Sequence, residues 1–195
     1  MNKTKIAWCD YTWNPVSGCT KVSEGCRNCY AASMAKRFWG ERRFSDVICH
    51  EDKLNEPLKV KNPGRVFVNS MSDLFHPDVS DDFISSVFEI MKSEKHLTFI
   101  VLTKRPARMQ YSISYSLSNV WLGVSIENQQ TADERIPLLL QTEAAVRFVS
   151  YEPALDLVDL THDLDGYRGN VTYVNERINW VIMGCESGPK RRPMN

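Results

Sequence analysis

From about residue 64 onward, apolar residues fall into short unbroken runs separated by longer stretches in which they recur every three or four positions. The runs at 65–69, 97–102, 120–124, 146–149 and 180–183 are rich in Val, Ile and aromatic residues. Continuous apolar runs of this length suit strands buried on both faces, as in parallel sheets. An earlier strand is expected somewhere between residues 6 and 16. The stretch 81–95 places Phe83, Ile84, Val87, Phe88 and Met91 on one face of a helix, with Ser80 or Asp81 as its cap. Weaker helical patterns cover 106–115 and 131–140, where Pro137 predicts a kink or an early stop. A helix at 30–39 is expected to follow a cysteine-bearing loop. Strands alternating with helices predict βαβ units, right-handed crossovers and a parallel α/β sheet. Residues 156–178 are polar and read as an inserted loop before the last strand. The whole chain, 1–195, reads as a single domain with a cysteine loop at 14–30 and βα units over 64–188.

Each apolar run exits into polar side chains. The exits are Asn69-Ser70-Met71-Ser72-Asp73, Thr103-Lys104-Arg105, Ser125-Ile126-Glu127-Asn128, Ser150-Tyr151-Glu152 and Gly184-Cys185-Glu186-Ser187-Gly188. In parallel α/β sheets and barrels, ligands bind at the carboxyl ends of the strands, so these exits are candidates to converge on one rim. Taken singly, each is also what a wet, helix-capping loop looks like.

Charge narrows the field little, because 24 Lys and Arg balance 24 Asp and Glu. No global field draws the chain to nucleic acid or to a membrane surface. No apolar run approaches the roughly 20 residues a membrane-spanning helix needs, and the first residues lack a signal-peptide apolar stretch. A reducing, cytoplasmic setting is the expectation, and with it free thiols rather than disulfides.

Cysteine placement changes the picture most. Of six cysteines, Cys19, Cys26 and Cys29 fall within one stretch spaced C-x6-C-x2-C, with Gly18 and Gly25 ahead of the first two. Thiolates clustered in an intracellular-looking chain point to zinc or to an iron–sulfur centre. Three ligands leave one coordination position open. A zinc site would need a fourth ligand, for which His50, His76 and Cys49 are available, and Cys9 is a further donor for a cluster. Cys9 and Cys49 otherwise read as small core residues, whereas Cys185 lies on the proposed rim.

The motif from Trp13 through Gly18-Cys19 to Gly25-Cys26-Arg27-Asn28-Cys29-Tyr30 resembles the phage Gp37/Gp68-like, or DUF5131, three-Cys-motif family. Phe67-Val68-Asn69-Ser70-Met71-Ser72-Asp73-Leu74-Phe75-His76 and Gly184-Cys185-Glu186-Ser187-Gly188-Pro189 fit it too. That family looks like a divergent branch of the radical S-adenosylmethionine (SAM) superfamily. The resemblance implies a partial (β/α)6 barrel in which Cys19, Cys26 and Cys29 hold a [4Fe–4S] cluster. The fourth iron would chelate SAM, and reductive cleavage would yield a 5′-deoxyadenosyl radical that takes hydrogen from the substrate. By position, Ser70, Ser72 and Asp73 would bind the SAM amino group, and Ser125, Glu127 and Asn128 the ribose. Lys104, Arg105, Glu152 and Glu186 would face the SAM carboxylate or the substrate.

The resemblance also implies a low-potential electron donor such as flavodoxin or ferredoxin, and a nucleic-acid or nucleotide substrate. The sequence departs from the superfamily in its wide first cysteine gap and in Asn28, where an aromatic residue usually precedes the last cysteine. Its ending just past the run at 180–183 raises the expectation of a shortened barrel that lacks its last helix and exposes Val181 and Met183. The competing reading is a non-catalytic binding module stapled by zinc or a cluster, in which Lys36, Arg37, Arg42 and Arg43 touch nucleic acid.

Overall fold

The computed structural model describes residues 1–160, 178–188 and 190–194. Most of the predicted insertion at 156–178 lies outside the described residues. The chain forms β1 (Asn2–Lys3), β2 (Tyr11–Trp13), β3 (Val16–Ser17), α1 (Tyr30–Phe38), β4 (Ile48–Cys49) and α2 (Glu51–Leu54). It continues with β5 (Gly64–Val68), α3 (Asp81–Ser93), β6 (Leu97–Thr103), α4 (Pro106–Ser112), β7 (Val120–Ile126), α5 (Gln129–Leu140), β8 (Val146–Tyr151) and β9 (Trp180–Met183). Among the described residues, seven strands build one sheet in the order β1-β2-β5-β6-β7-β8-β9. Only β1 runs antiparallel; the other six are parallel, each hydrogen-bonded to the next. A separate antiparallel pair, β3 with β4, was not foreseen from the residue pattern.

Alternation along the strands divides the core in two. One cluster, which includes Val66, Val68, Phe99, Val101, Leu122, Val124 and Val149, packs against Phe83, Val87, Met91, Ile136 and Leu139 of α3 and α5. The other faces of the same strands bring Phe67, Ile100, Phe148 and Ile182 together with Cys9. Trp8 fills this inner side, its ring meeting Phe67 of β5 at 4.7 Å and Trp180 of β9 at 6.1 Å. A single residue thus spans from the first half of the sheet to its last strand. Gly123 is needed on this inner face, because the Phe148 ring lies where its side chain would be.

Local signals behave as their chemistry requires. Ser80 caps α3 by accepting the Phe83 N–H. Asn128 caps α5 in a reciprocal box with Thr131. Pro137 does not stop α5, which runs on to Leu140. The carbonyl it leaves unpaired belongs to exposed Asp133, where water can satisfy it, and buried Ile136, Leu139 and Leu140 hold the turn in place. The first long parallel strand ends one residue earlier than predicted, because Asn69 takes a left-handed backbone with φ of 60°. Outward-facing Val181 and Met183 are 39% and 60% exposed. None of the described helices is long and apolar enough to cross a membrane.

Candidate functional site

The carboxyl ends of the parallel strands and the cysteine loop enclose two adjoining clefts. The smaller, about 170 Å³, is lined by Cys19, Cys26 and Cys29 together with Asn69, Ser70, Ser72, Asp73, Lys104, Arg105 and Ser125. The larger, about 390 Å³, extends down the inner face past Trp8, Phe67 and Leu102 to Ser150, Glu152, Cys185 and Glu186. Cys29, Tyr30, Phe67, Leu102, Lys104 and Ser125 belong to both. The strand exits therefore converge, and of the ten residues expected to bind SAM or substrate only Glu127 and Asn128 line neither cleft.

Those two residues have other partners. Glu127 is fully buried. Its Oε2 pairs with Nη1 of buried Arg135 at 3.0 Å, and its Oε1 accepts the Gly25 N–H at 3.2 Å. The carboxylate thus ties the end of β7 to the loop beside Cys26. Gly25 is required there, since a Cβ would sit 2.9 Å from the Glu127 carboxyl carbon. Asn128 spends its side chain on the α5 cap.

The loop is anchored at two further points. Near its start, Thr20 Oγ1 lies 2.8 Å from Nε2 of buried His76. The Asp78 N–H donates to His76 Nδ1, which leaves Nε2 as the donor toward Thr20. Burial, with Arg105 nearby, lowers the His76 pKa and keeps the ring neutral. Near its end, Asn28 donates to Glu186 at 2.9 Å and to the Lys190 carbonyl at 3.0 Å. Arg192 bridges Glu186 and Glu24. Its hydrogen bonds, chiefly, pull the Glu186 carboxyl down to about 2.

Asp73 organises the neighbouring exit. It accepts from Thr103 Oγ1, the Phe75 and Lys104 N–H groups, and Arg105 Nη1 at 2.9 Å. Held this way, Arg105 reaches the Thr20 carbonyl at 3.0 Å and presents an N–H to Cys19 Sγ at 3.5 Å. Burial, reinforced by Asp73, still pushes the Cys19 thiol up to about 11, with Arg105 opposing. A bound metal centre would supply the positive charge that converts such a thiol to thiolate.

Other groups in the clefts retain capacity. Asn69 accepts the Val16 N–H, yet its buried side-chain NH2 has no partner among the described residues. The Lys104 ammonium likewise makes no hydrogen bond or ion pair there, although it lies close enough to Glu152 to stabilise its charged form. Burial dominates at Glu152 and raises its pKa. Ser70 and Ser72 donate their hydroxyls to Asn14 and Val16, leaving their oxygens as acceptors toward the cleft.

Cys19, Cys26 and Cys29 are free thiols, all half-buried. Among the described residues no three His, Cys, Asp or Glu side chains come close enough to grip a single ion. A four-iron cluster takes each thiolate on a different iron and needs a cavity between its ligands, whereas zinc draws four donors onto one point. Three thiols around one cleft, with donors from Arg105, Asn69 and Lys104 facing what would be an anionic centre, suit the cluster better.

Arg192 escapes the sequence reading, which places Asn69 and Tyr30 in motifs without a role and offers His76 only as a possible zinc ligand. Asn69 offered a signal, an Asn closing an apolar strand where a left-handed residue is favoured. Arg192 offered none: Glu24 is 168 residues away, and nothing in the six-residue spacing to Glu186 announces a pairing.

The sequence model of the family described as "Protein of unknown function (DUF5131)" matches residues 3–195. None of the curated proteins matches the chain. Among solved structures it is similar to "Spore photoproduct lyase complexed with dinucleoside spore photoproduct", with a TM-score of 0.53 at 11% identity over 78% of this chain and 48% of that one. A second structure, of a spore photoproduct lyase mutant with one cysteine changed to serine, gives a TM-score of 0.52 at 12% identity with the same coverage. The chain spans about half the length of these structures, and at such identity the likeness is one of fold: a radical-SAM-like partial barrel.

Proposed function

Given that the chain belongs to the DUF5131 family and has a radical-SAM-like partial-barrel fold, we propose that it is a radical SAM enzyme. Cys19, Cys26 and Cys29 would hold a [4Fe–4S] cluster, and SAM would dock beside it. One observation carries this reading: three free thiols, spaced along one loop, line a single donor-rich cleft on the carboxyl rim of six parallel strands. Such a cluster, when reduced, would supply the one electron that splits SAM into methionine and a hydrogen-abstracting 5′-deoxyadenosyl radical.

The chain's own residues have the following parts. Glu127, His76 and Asn28 hold the cysteine loop against the rim. Arg105 directs an N–H at Cys19 Sγ. Ser70 and Ser72 offer acceptor oxygens suited to an ammonium, while Asp73 contributes by orienting Arg105. Ser125, common to both clefts, is placed to meet a ribose, and Glu127 and Asn128 support the exit it stands on. Lys104 suits a carboxylate. Trp8, Phe67 and Leu102 wall the larger cleft and keep water from it. Glu152 and Glu186 stand at its polar end, Glu152 with hydrogen-bonding capacity to spare. A nucleic-acid or nucleotide substrate is part of the proposal, supported by the dinucleoside ligand named for the similar structure. A low-potential electron donor such as flavodoxin or ferredoxin is the other partner.

The test is anaerobic reconstitution followed by metal analysis. About four irons per chain are expected, falling to background in Cys29→Ala. With dithionite and SAM, the reconstituted protein should form 5′-deoxyadenosine. Zinc retained in place of iron would sink the radical reading and favour a zinc-stapled binding module.

A further inference from the structure

The larger cleft keeps one carboxylate for a ligand. Two carboxylates line it, Glu152 and Glu186. Glu186 is spent on Asn28 and Arg192. Glu152 receives only a long bond, 3.4 Å, from the Ser150 hydroxyl among the described residues. Its other acceptor positions are open. The exit of β9 makes room for this side chain. A Cβ on Gly184 would lie 2.2 Å from Glu152 Oε1, so any larger residue there would displace the carboxylate.

Size, walls and charge narrow what can use those acceptors. At about 390 Å³ the cleft takes a single nucleoside-sized group rather than a folded partner. Trp8, Phe67, Leu102 and Pro153 give it apolar walls suited to a flat ring. An ionised carboxylate accepts and never donates, so it selects a group with adjacent donors. Guanidinium and ammonium groups have them, but Lys104 already places a cation close to Glu152 in this cleft. A neutral pair of donors on a flat ring meets both conditions. Among the common nucleobases, guanine alone presents two adjacent donors on its pairing edge, the ring N–H and the 2-amino group. Adenine and cytosine set an acceptor nitrogen beside their amino group, and uracil and thymine hold one N–H between two carbonyls. Each would turn a lone pair toward the carboxylate, and the adenine of SAM is excluded as its partner by the same reasoning.

We propose that the larger cleft is a guanine site, in which Glu152 accepts the ring N–H and the 2-amino group while Trp8 and Phe67 wall the base. The proposal deepens the nucleotide-substrate reading above and rests on it; the choice of guanine rests on Glu152, Gly184 and Lys104. Reading a base by hydrogen bonds to its pairing edge between apolar walls is how enzymes hold a base taken out of a strand. Cys29 lines the same cleft, so the base would lie beside the cysteine-bound centre.

Calorimetric titration of the protein as isolated tests this without requiring a cluster. Guanosine monophosphate should bind about tenfold or more tighter than adenosine, cytidine or uridine monophosphate. Inosine monophosphate, which lacks the 2-amino group, should lose much of that advantage. Glu152→Gln keeps the shape but replaces one acceptor with a donor, and should lower the preference for guanosine about tenfold. Gly184→Ala displaces the carboxylate without altering its charge and should act in the same direction. Circular dichroism checks that both variants fold, and Glu152→Gln decides alone if Gly184→Ala does not. A thymine oligonucleotide carrying one guanine, titrated beside the mononucleotide, separates a base in a strand from a free nucleotide. Equal affinity for the four nucleotides, no binding of any, or a guanosine preference that Glu152→Gln leaves intact overturns the proposal. So does tighter binding of benzamidine than of guanosine monophosphate, which would assign Glu152 to a cationic substrate. Failure of the reconstituted protein to form 5′-deoxyadenosine from SAM would count against the radical reading instead, and the nucleotide affinities would still decide the guanine site.

Discussion

Removing the Glu127 carboxylate separates the support of the cysteine loop from the chemistry of the thiols. Glu127→Ala leaves the Arg135 guanidinium with its bond to the Ser125 carbonyl at 2.7 Å and no carboxylate, on a side chain only 6% exposed. It also leaves the Gly25 N–H without its acceptor. Breaking a buried ion pair by deleting one partner costs about 3–5 kcal/mol, because the remaining charge stays buried. Against a typical stability of about 5–15 kcal/mol, that is a large fraction of the total. Urea unfolding by circular dichroism should show the midpoint falling with an unchanged slope. Glu127→Gln retains an oxygen for Gly25 but no charge for Arg135. It should lose stability while keeping more of the iron bound on reconstitution than Glu127→Ala does. A loss below about 1 kcal/mol in Glu127→Ala would refute the reasoning, since it would place the pair among screened surface contacts. Equal iron retention in both variants would refute the role given to the Gly25 contact.

Two further outcomes follow from the packing and the charges. Gly123→Ala places a Cβ 2.5 Å from the buried Phe148 ring and should cost about 1–3 kcal/mol by urea unfolding. The Glu186 carboxyl drops from an ordinary 4.5 to about 2 in the folded chain, chiefly through Arg192. A depressed pKa means its stabilisation is complete above pH 4.5 and is lost as pH falls toward 2. Unfolding midpoints compared across that window should fall more steeply in the native protein than in Glu186→Gln.

The parallel sheet could be read from the sequence because its central strands are buried on both faces. Such strands appear as unbroken Val- and Ile-rich runs, and turn residues bound them. Helix α3 declared itself through Ser80 and five apolar positions at helical spacing. The pair β3 and β4 was invisible: two-residue strands carry no periodicity. Pro137 brought no early stop, because the cost of a proline depends on whether its orphaned carbonyl can reach water, and that is a matter of which face Asp133 occupies.

The site divides in the same way. The spacing of Cys19, Cys26 and Cys29 announces clustered thiols, since local chain geometry alone keeps them near one another. The polar strand exits announce a rim, because every parallel strand delivers its carboxyl end to the same side. Which exit residues face the cavity is decided only in three dimensions. Ser125 and Glu127 are two residues apart, yet Ser125 lines both clefts and Glu127 is buried against Arg135 and Gly25. A carboxylate cannot satisfy both a buried guanidinium and a ligand's hydroxyls, and sequence does not say where the nearest cation will lie. By itself the sequence determined the repeating βα architecture and the candidate metal loop. Tertiary structure decided which side chains hold that loop and which are left for a ligand, because the contacts that hold it join residues from 56 to 158 apart in the chain.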